Sequence, residues 1–188
     1  MPKVETFNKE QVLNDVIRLF HEKGYNATSM QDLVDATGLN RSSIYNSFGS
    51  KKELFQESLK TYRAIAHKSI QKVLIHSKNS KESIRKIFAT TPETNKNGCL
   101  LSNCTSEMAN QDLEIKNFLV NNMEHMQELF EELVIKGQSE GSINTLKSAK
   151  VYAMYLFTSL QGLRITEVLL NEPKDIESII DTTLSILN

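Results

Sequence analysis

Arg41, Ser42 and Ser43 are consecutive side chains whose types suit recognition, and Tyr45, Asn46 and Lys51 follow closely behind them. A guanidinium is a planar fork of donors that can meet two acceptors at once, while a hydroxyl both donates and accepts. The phenol, the amide and the compact ammonium extend this set toward anions. Such chemistry reads hydrogen-bonding edges and neutralises charge; it is not a catalytic constellation. The chain has no phosphate-cradling glycine loop and no nucleophile elbow. His21, His67, His76 and His125 are not at metal-ligand spacing, and His21-Glu22 lacks the second histidine of a zinc-protease helix. No enzyme activity, cofactor or metal is expected.

The elements around these residues are helical. With 7 glycines and 3 prolines in 188 residues, breaks are few. Val12, Val16, Leu19 and Phe20 define one face of a first helix that should end near Gly24. Thr28 to Gln31 has the spacing of a capping box, opening a short helix with Met30, Leu33 and Val34 inward and Gly38 as its stop. Asn40 can cap a second short helix, Arg41 to Asn46. Ser50 to Glu53 is another capping box, opening a long helix to about His76.

Two short helices joined by a tight glycine turn form a helix-turn-helix, in which the first helix braces on a DNA backbone and the second enters the major groove. Arg41, Ser42 and Ser43 occupy the N-terminal positions of the second helix, where side chains reach base edges. Ile44 and Phe48 should face inward with Leu33, Val34 and Leu39, leaving Tyr45 and Asn46 at the groove wall. Lys51 sits at a helix N-terminus, itself an anion site.

The run Gly24-Tyr25-Asn26-Ala27-Thr28-Ser29-Met30-Gln31-Asp32-Leu33, with the segment from Gly38 to Leu54, closely resembles the DNA-binding domain of the tetracycline-repressor (TetR) family. The glycine–aromatic start, Thr-Ser pair, glycine turn, Tyr-x-x-Phe and Ser-Lys-x-x-Leu fall at that family's spacing. The resemblance implies phosphate contacts by Thr28 and Ser29, base reading by Arg41, Ser42 and Ser43, phosphate or edge-base contacts by Tyr45 and Asn46, and a phosphate-binding Lys51. Arg41-Ser42 replaces the family's more frequent Lys-Gly, so no operator sequence carries over. It also implies an all-α fold of about nine helices: a three-helix DNA-binding domain over 1–50, and a helical ligand-binding and dimerisation body over 51–188.

The body follows the same helical rules. A short helix is expected near 80–89, then a polar loop from Thr91 to Gly98 containing Pro92. Leu119, Met123, Met126, Phe130 and Leu133 step by four and three along a helix from about 112, which Gly137 and Gly141 should break. Further helices are expected at 147–170 and 174–187, with Pro173 welcome in a first turn. The stretch Val151 to Leu163 is free of charge, so it should be buried all round. Ser159 and Gly162 would admit a partner helix, and Ile176, Ile179, Ile180, Thr183, Leu184 and Leu187 on the last helix would complete a four-helix homodimer seam. Met108, Phe118, Met123, Met126, Phe130, Tyr152, Tyr155 and Gln161 are candidates to line an effector cavity, with Met154 and Phe157 nearby.

Cys99, within Gly98-Cys99-Leu100, resembles a cysteine through which some TetR-like regulators sense electrophiles. Leu100 and Leu101 beside it suggest burial instead, and Lys96 is the nearest cation. In a continuous helix Cys99 and Cys104 would be separated by about 7.5 Å of rise, beyond the roughly 6.8 Å reach of a disulfide.

Charge separates the two ends. Residues 1–86 hold 15 basic and 9 acidic side chains, residues 87–188 hold 7 and 14, and 41–86 is the most basic stretch. One end suits a polyanion and the other does not. The longest uncharged run of the body, 13 residues, is short of the roughly 20 that span a membrane. No signal-peptide core opens the sequence, so a cytoplasmic protein without a membrane partner is expected. The reading that follows is a transcriptional regulator, a repressor released from a double-stranded DNA operator by a small, largely apolar effector. The alternative is an electrophile or redox sensor acting through Cys99 on the same DNA-binding frame.

Overall fold

A computed structural model of the chain describes residues 7–90 and 97–188. The loop expected from Thr91 to Gly98, including Pro92 and Lys96, lies mostly outside the described residues. Among those described there are nine α-helices and no strand, as the all-α reading requires. They divide into two compact units, residues 1–65 and 66–188.

The first unit opens with α1, Lys9–Ala27, capped by the Asn8 side chain accepting from the Gln11 N–H at 3.1 Å. Val12, Val16 and Phe20 recur one turn apart and are buried. Regular geometry stops at Gly24 (φ 76, ψ 171) and resumes for one short turn. Then come α2, Met30–Thr37, α3, Arg41–Phe48, and α4, Lys51–Ile75, which begins in this unit and ends in the next. Leu33, Ile44, Phe48, Leu54, Phe55 and Leu59 fill the core with the apolar face of α1. Phe20 meets Phe55 edge-on at 4.8 Å between ring centroids. Compactness therefore divides the chain within α4, whereas the sequence motif suggested a boundary after residue 50, because Leu54, Phe55, Leu59 and Tyr62 are buried on α4 before the division.

The second unit holds α5, Ser80–Ala89; α6, Leu100–Met108; α7, Leu113–Ser139; α8, Ala149–Thr166; and α9, Pro173–Leu184. A single 3₁₀ turn follows each of the last two, Glu167–Leu169 and Ser185–Leu187. Phe88, Phe130, Val134, Tyr152, Leu156, Ile180 and Leu187 are at the centre of its core. On α7 the expected seam is partly sunk: Leu119, Phe130 and Leu133 are buried, Met123 and Met126 only half-buried. Gly137 does not break this helix. It lies inside it because Ile143 folds back onto it, and a Cβ there would sit 2.5 Å from the Ile143 Cδ1. The break comes at Gly141 (φ 74).

Two polar side chains tie this unit together. Asn144, after α7, donates from its amide to the Ile186 and Asn188 carbonyls at 2.8 and 2.7 Å and accepts from the Tyr152 hydroxyl at 2.5 Å. Arg164 on α8 is buried, paired with Glu167 at 2.9 Å, and donates to the carbonyls of Ile87, Phe88 and Thr90 at 3.3, 3.1 and 2.7 Å. These belong to the end of α5, where carbonyls have no partner inside their own helix. No described helix is long and apolar enough to cross a membrane.

Replacing Arg164 by Met leaves the Glu167 carboxylate and three carbonyls without their cation. Chemical denaturation should show a loss of about 3–5 kcal/mol, the penalty for one orphaned buried charge. Arg164→Met with Glu167→Leu should recover part of it; equal losses in the single and double variants would refute the pairing.

Candidate nucleic-acid interface

A helix of eight residues is marginal alone, so both short helices depend on their ends and on burial. The N-terminus of α2 is closed by Ser29 and Asp32, correcting the expected Thr28–Gln31 box by one residue. The Asp32 N–H donates to the Ser29 hydroxyl at 3.1 Å, and the Asp32 carboxylate accepts from the Ser29 N–H and hydroxyl, both at 2.8 Å. Lys23 on α1 donates to the other carboxylate oxygen at 2.6 Å. The Lys23 hydrogen bond, followed by those from Ser29, holds the Asp32 carboxyl well below the usual carboxylate range.

Thr28, expected at the phosphates, is 1% exposed and its hydroxyl donates to the Gly24 carbonyl at 2.6 Å. The Ser29 hydroxyl is exposed but already gives its one proton to Asp32. In this conformation neither side chain offers a donor to an anion. They brace α2 instead.

The turn passes through Gly38 at φ 68, a left-handed conformation that side chains with a Cβ seldom adopt, and its N–H returns to the Val34 carbonyl at 2.9 Å. Asn40 then caps α3 by accepting from the Ser43 N–H at 2.8 Å. Ile44 and Phe48 are buried as expected, while Val34 and Leu39 are half-buried. With that face fixed inward, Arg41, Ser42, Tyr45 and Asn46 are exposed and Ser43 is half-buried. Asn46 donates weakly to the Ser42 hydroxyl at 3.4 Å. The first turn of α3 thus presents a guanidinium and a hydroxyl to solvent, and the next turn a phenol and an amide.

The chain leaves α3 at Gly49 (φ 79, ψ -139), where a Cβ would collide with the Glu53 carboxylate at 2.3 Å. That carboxylate accepts from the Ser50 N–H at 2.7 Å, and the Glu53 N–H donates to the Ser50 hydroxyl at 3.2 Å, forming the expected capping box. Beside it Lys51 places its ammonium 4.4 Å from the centroid of the Tyr25 ring. Sequence reading singled out Lys51 but saw Tyr25 only as the aromatic after a glycine. Lys23 and Asp32 were also missed, and their types, a cation and an acid nine residues apart, gave little signal.

The candidate effector-lining residues are dispersed in the second unit. Met108, Phe130 and Tyr152 are buried, and Phe118, Met123, Met126 and Gln161 are half-buried. Gln161 accepts from the Ser102 hydroxyl, joining α8 to α6. The Tyr152 hydroxyl is bound to Asn144, so it is a structural bond rather than an open handle. Tyr155 is 40% exposed, on the side of α8 that turns away from the core. Cys99 is the N-cap of α6, half-buried and without a side-chain cap bond. Cys104 is buried, and burial with Glu107 nearby pushes its thiol up to about 12.

Residues 12–58 match the profile described as bacterial regulatory proteins, tetR family. The HTH-type transcriptional regulator YezE of Bacillus subtilis (strain 168) is 26% identical over 195 residues, covering 100% of both chains. The HTH-type transcriptional repressor ComR of Escherichia coli (strain K12) is 27% identical, over 88% of this chain and 80% of its own. Among solved structures, a cysteine mutant of the TetR family regulator CifR complexed with operator DNA has the same fold, with TM-score 0.85 and 20% identity over 97% of this chain and 98% of that one. The matched segment contains the whole of α2, the glycine turn and α3. Residues 12–58 therefore carry the DNA-binding domain of the tetR family of bacterial regulatory proteins, and the chain is a DNA-binding regulator of transcription.

Proposed function

We propose that this regulator is a repressor that binds a two-half-site operator as a homodimer and leaves it when a small, largely apolar effector binds the helical body. The observation that carries the DNA assignment is the first turn of α3, capped by Asn40 and anchored by buried Ile44, with Arg41 and Ser42 outward. Arg41, Ser42 and Ser43 read base edges, while Tyr45, Asn46 and Lys51 contact phosphates. Thr28 and Ser29 are left in the bracing role that their hydrogen bonds describe.

The dimer seam is placed on α8. Within one chain this helix is not buried all round: Val151, Met154, Tyr155 and Ile165 are 48%, 51%, 40% and 51% exposed. Val151, Met154 and Tyr155 fall one turn apart and no charge follows them as far as Leu163, a surface that favours a partner helix over water. On α9, Ile180 is not available for the seam because it is buried in its own unit, whereas Ile176 and Ile179 remain half-buried.

The effector is placed among α6, α7 and α8, near Met108, Met123, Met126, Phe118 and the Ser102–Gln161 bond. Methionines adapt to irregular apolar shapes, and a single amide supplies orientation. α4 is one continuous helix from the first unit into the second, so it is the covalent route by which a change in the body reaches α3. A second reading keeps Cys99 as an electrophile sensor; it is supported by the incomplete burial of Cys99, in contrast to the buried Cys104.

On operator DNA recovered by in vitro selection, Arg41→Ala should lower affinity by about 1–3 kcal/mol and relax preference at one base pair per half-site. Unchanged sequence preference would remove Arg41 from the groove. For the dimer, Gly162→Lys is the probe, since a Cβ at Gly162 meets nothing within 4 Å of its own chain. It should give folded monomers in sedimentation, with operator affinity reduced by roughly 10²–10⁴ through lost bivalency; a dimer that persists would move the seam elsewhere. Cys99→Ser separates the two signalling readings. With a pocket effector the variant still releases DNA, and operator and effector lower each other's affinity by the same factor. If thiol-reactive compounds release the wild type and not Cys99→Ser, the cysteine is the sensor.

A further inference from the structure

Lys51 is the first residue of α4, and its long flexible side chain would ordinarily sample many positions around that helix end. Here its ammonium lies 4.4 Å from the centroid of the Tyr25 ring, within the range of a cation–π contact. The ring is itself fixed. It packs against Phe55 at 4.8 Å and, with ring planes 29° apart, against Phe20 at 6.2 Å, and both phenylalanines are buried. The non-helical Gly24 (φ 76, ψ 171) turns the chain just before Tyr25. A buried aromatic pair on α1 and α4 thus supports a third ring, and that ring supports a cation.

We propose that Tyr25 is a positioning residue for DNA binding, whose ring holds the Lys51 ammonium in place at the start of α4 before a phosphate arrives. This rests on the assignment of Lys51 to the DNA backbone. A ring face engages an ammonium through its charge, and an ammonium has three N–H donors, so one cation can serve both a ring and a phosphate. Holding it in advance removes the ordering cost that a free lysine would meet on docking. Because a phosphate contact has no sequence content, the effect must be equal on every duplex.

The test titrates the full chain against the selected operator and against random-sequence duplex DNA over a series of salt concentrations. Tyr25→Leu should weaken both by about 2- to 5-fold and leave the salt slope unchanged, since no charge is lost. Tyr25→Phe should bind as the wild type does. Lys51→Ala should weaken both and reduce the slope by about 0.9, the value for one phosphate. Adding Tyr25→Leu to Lys51→Ala should then cost nothing more. Thermal melting of each variant checks folding, and pentafluorophenylalanine at position 25, which keeps the ring and removes its negative face, repeats the test should Tyr25→Leu not fold. Full affinity in Tyr25→Leu and in the fluorinated variant, or an undiminished loss from Tyr25→Leu in the Lys51→Ala background, overturns the positioning role. Wild-type binding and slope in Lys51→Ala overturn the phosphate assignment itself.

Discussion

Eight residues of helix leave about half of their backbone polar groups without partners inside the helix, and α2 and α3 both have that length. Everything at the DNA-reading end answers to this constraint. Ser29 and Asp32 close the start of α2, Gly38 turns its end, Asn40 closes the start of α3, and Gly49 leads into the Ser50–Glu53 box of α4. Buried Leu33 and Ile44 then fix the rotation of each helix about its own axis. Because these ends are closed by Asn40 and by Gly49, the outward Arg41, Ser42 and Tyr45 of α3 are not needed to close them.

The helical body meets the corresponding problem with longer helices and a few buried polar hubs. Asn144 joins the connection between α7 and α8 to the last residues of the chain, and Arg164 closes α5 from α8. Neither hub reaches the outer side of α8, which carries no charge from Val151 to Leu163. That side exposes Val151, Met154 and Tyr155, residues that a solvated helix would replace with charge.

Where a local rule had one solution, the residues disclosed the structure. Gly38 and the Ser50–Glu53 pair had one register each, and the helices fall where those signals put them. Thr28 and Ser29 offered two registers, since each is followed three residues later by a side chain able to return the bond. The choice was made outside the motif, by Gly24 accepting from Thr28 and by Lys23 reaching Asp32. Gly137 misled for a similar reason: a glycine near a helix end suggests a stop, and only the return of Ile143 shows it as a place of close packing. Tyr152 and Tyr155 could not be told apart because a helix without charge does not display which side is inward. One is in the core and bonded to Asn144, and the other faces out.

The guanidinium of Arg164 meets carbonyls that lie 77, 76 and 74 residues earlier in the chain. An α-helix whose last turn is completed from so far away cannot be finished as it emerges; α5 must wait for α8. Closing a loop of that length costs chain entropy before any contact returns it, so the end of α5 gains these partners only through long-range closure. The first unit also has contacts between distant residues, Phe20 with Phe55 and Lys9 with Glu57, but its helix ends are closed locally: the bonds from Thr28 to Gly24 and from Ser43 to Asn40 span four and three residues, and that from Lys23 to Asp32 nine. The helix ends around the helix-turn-helix are thus closed from within a few residues, while α5 is closed from across the chain, so a local opening of α8 would release the end of α5 and leave α2 and α3 capped.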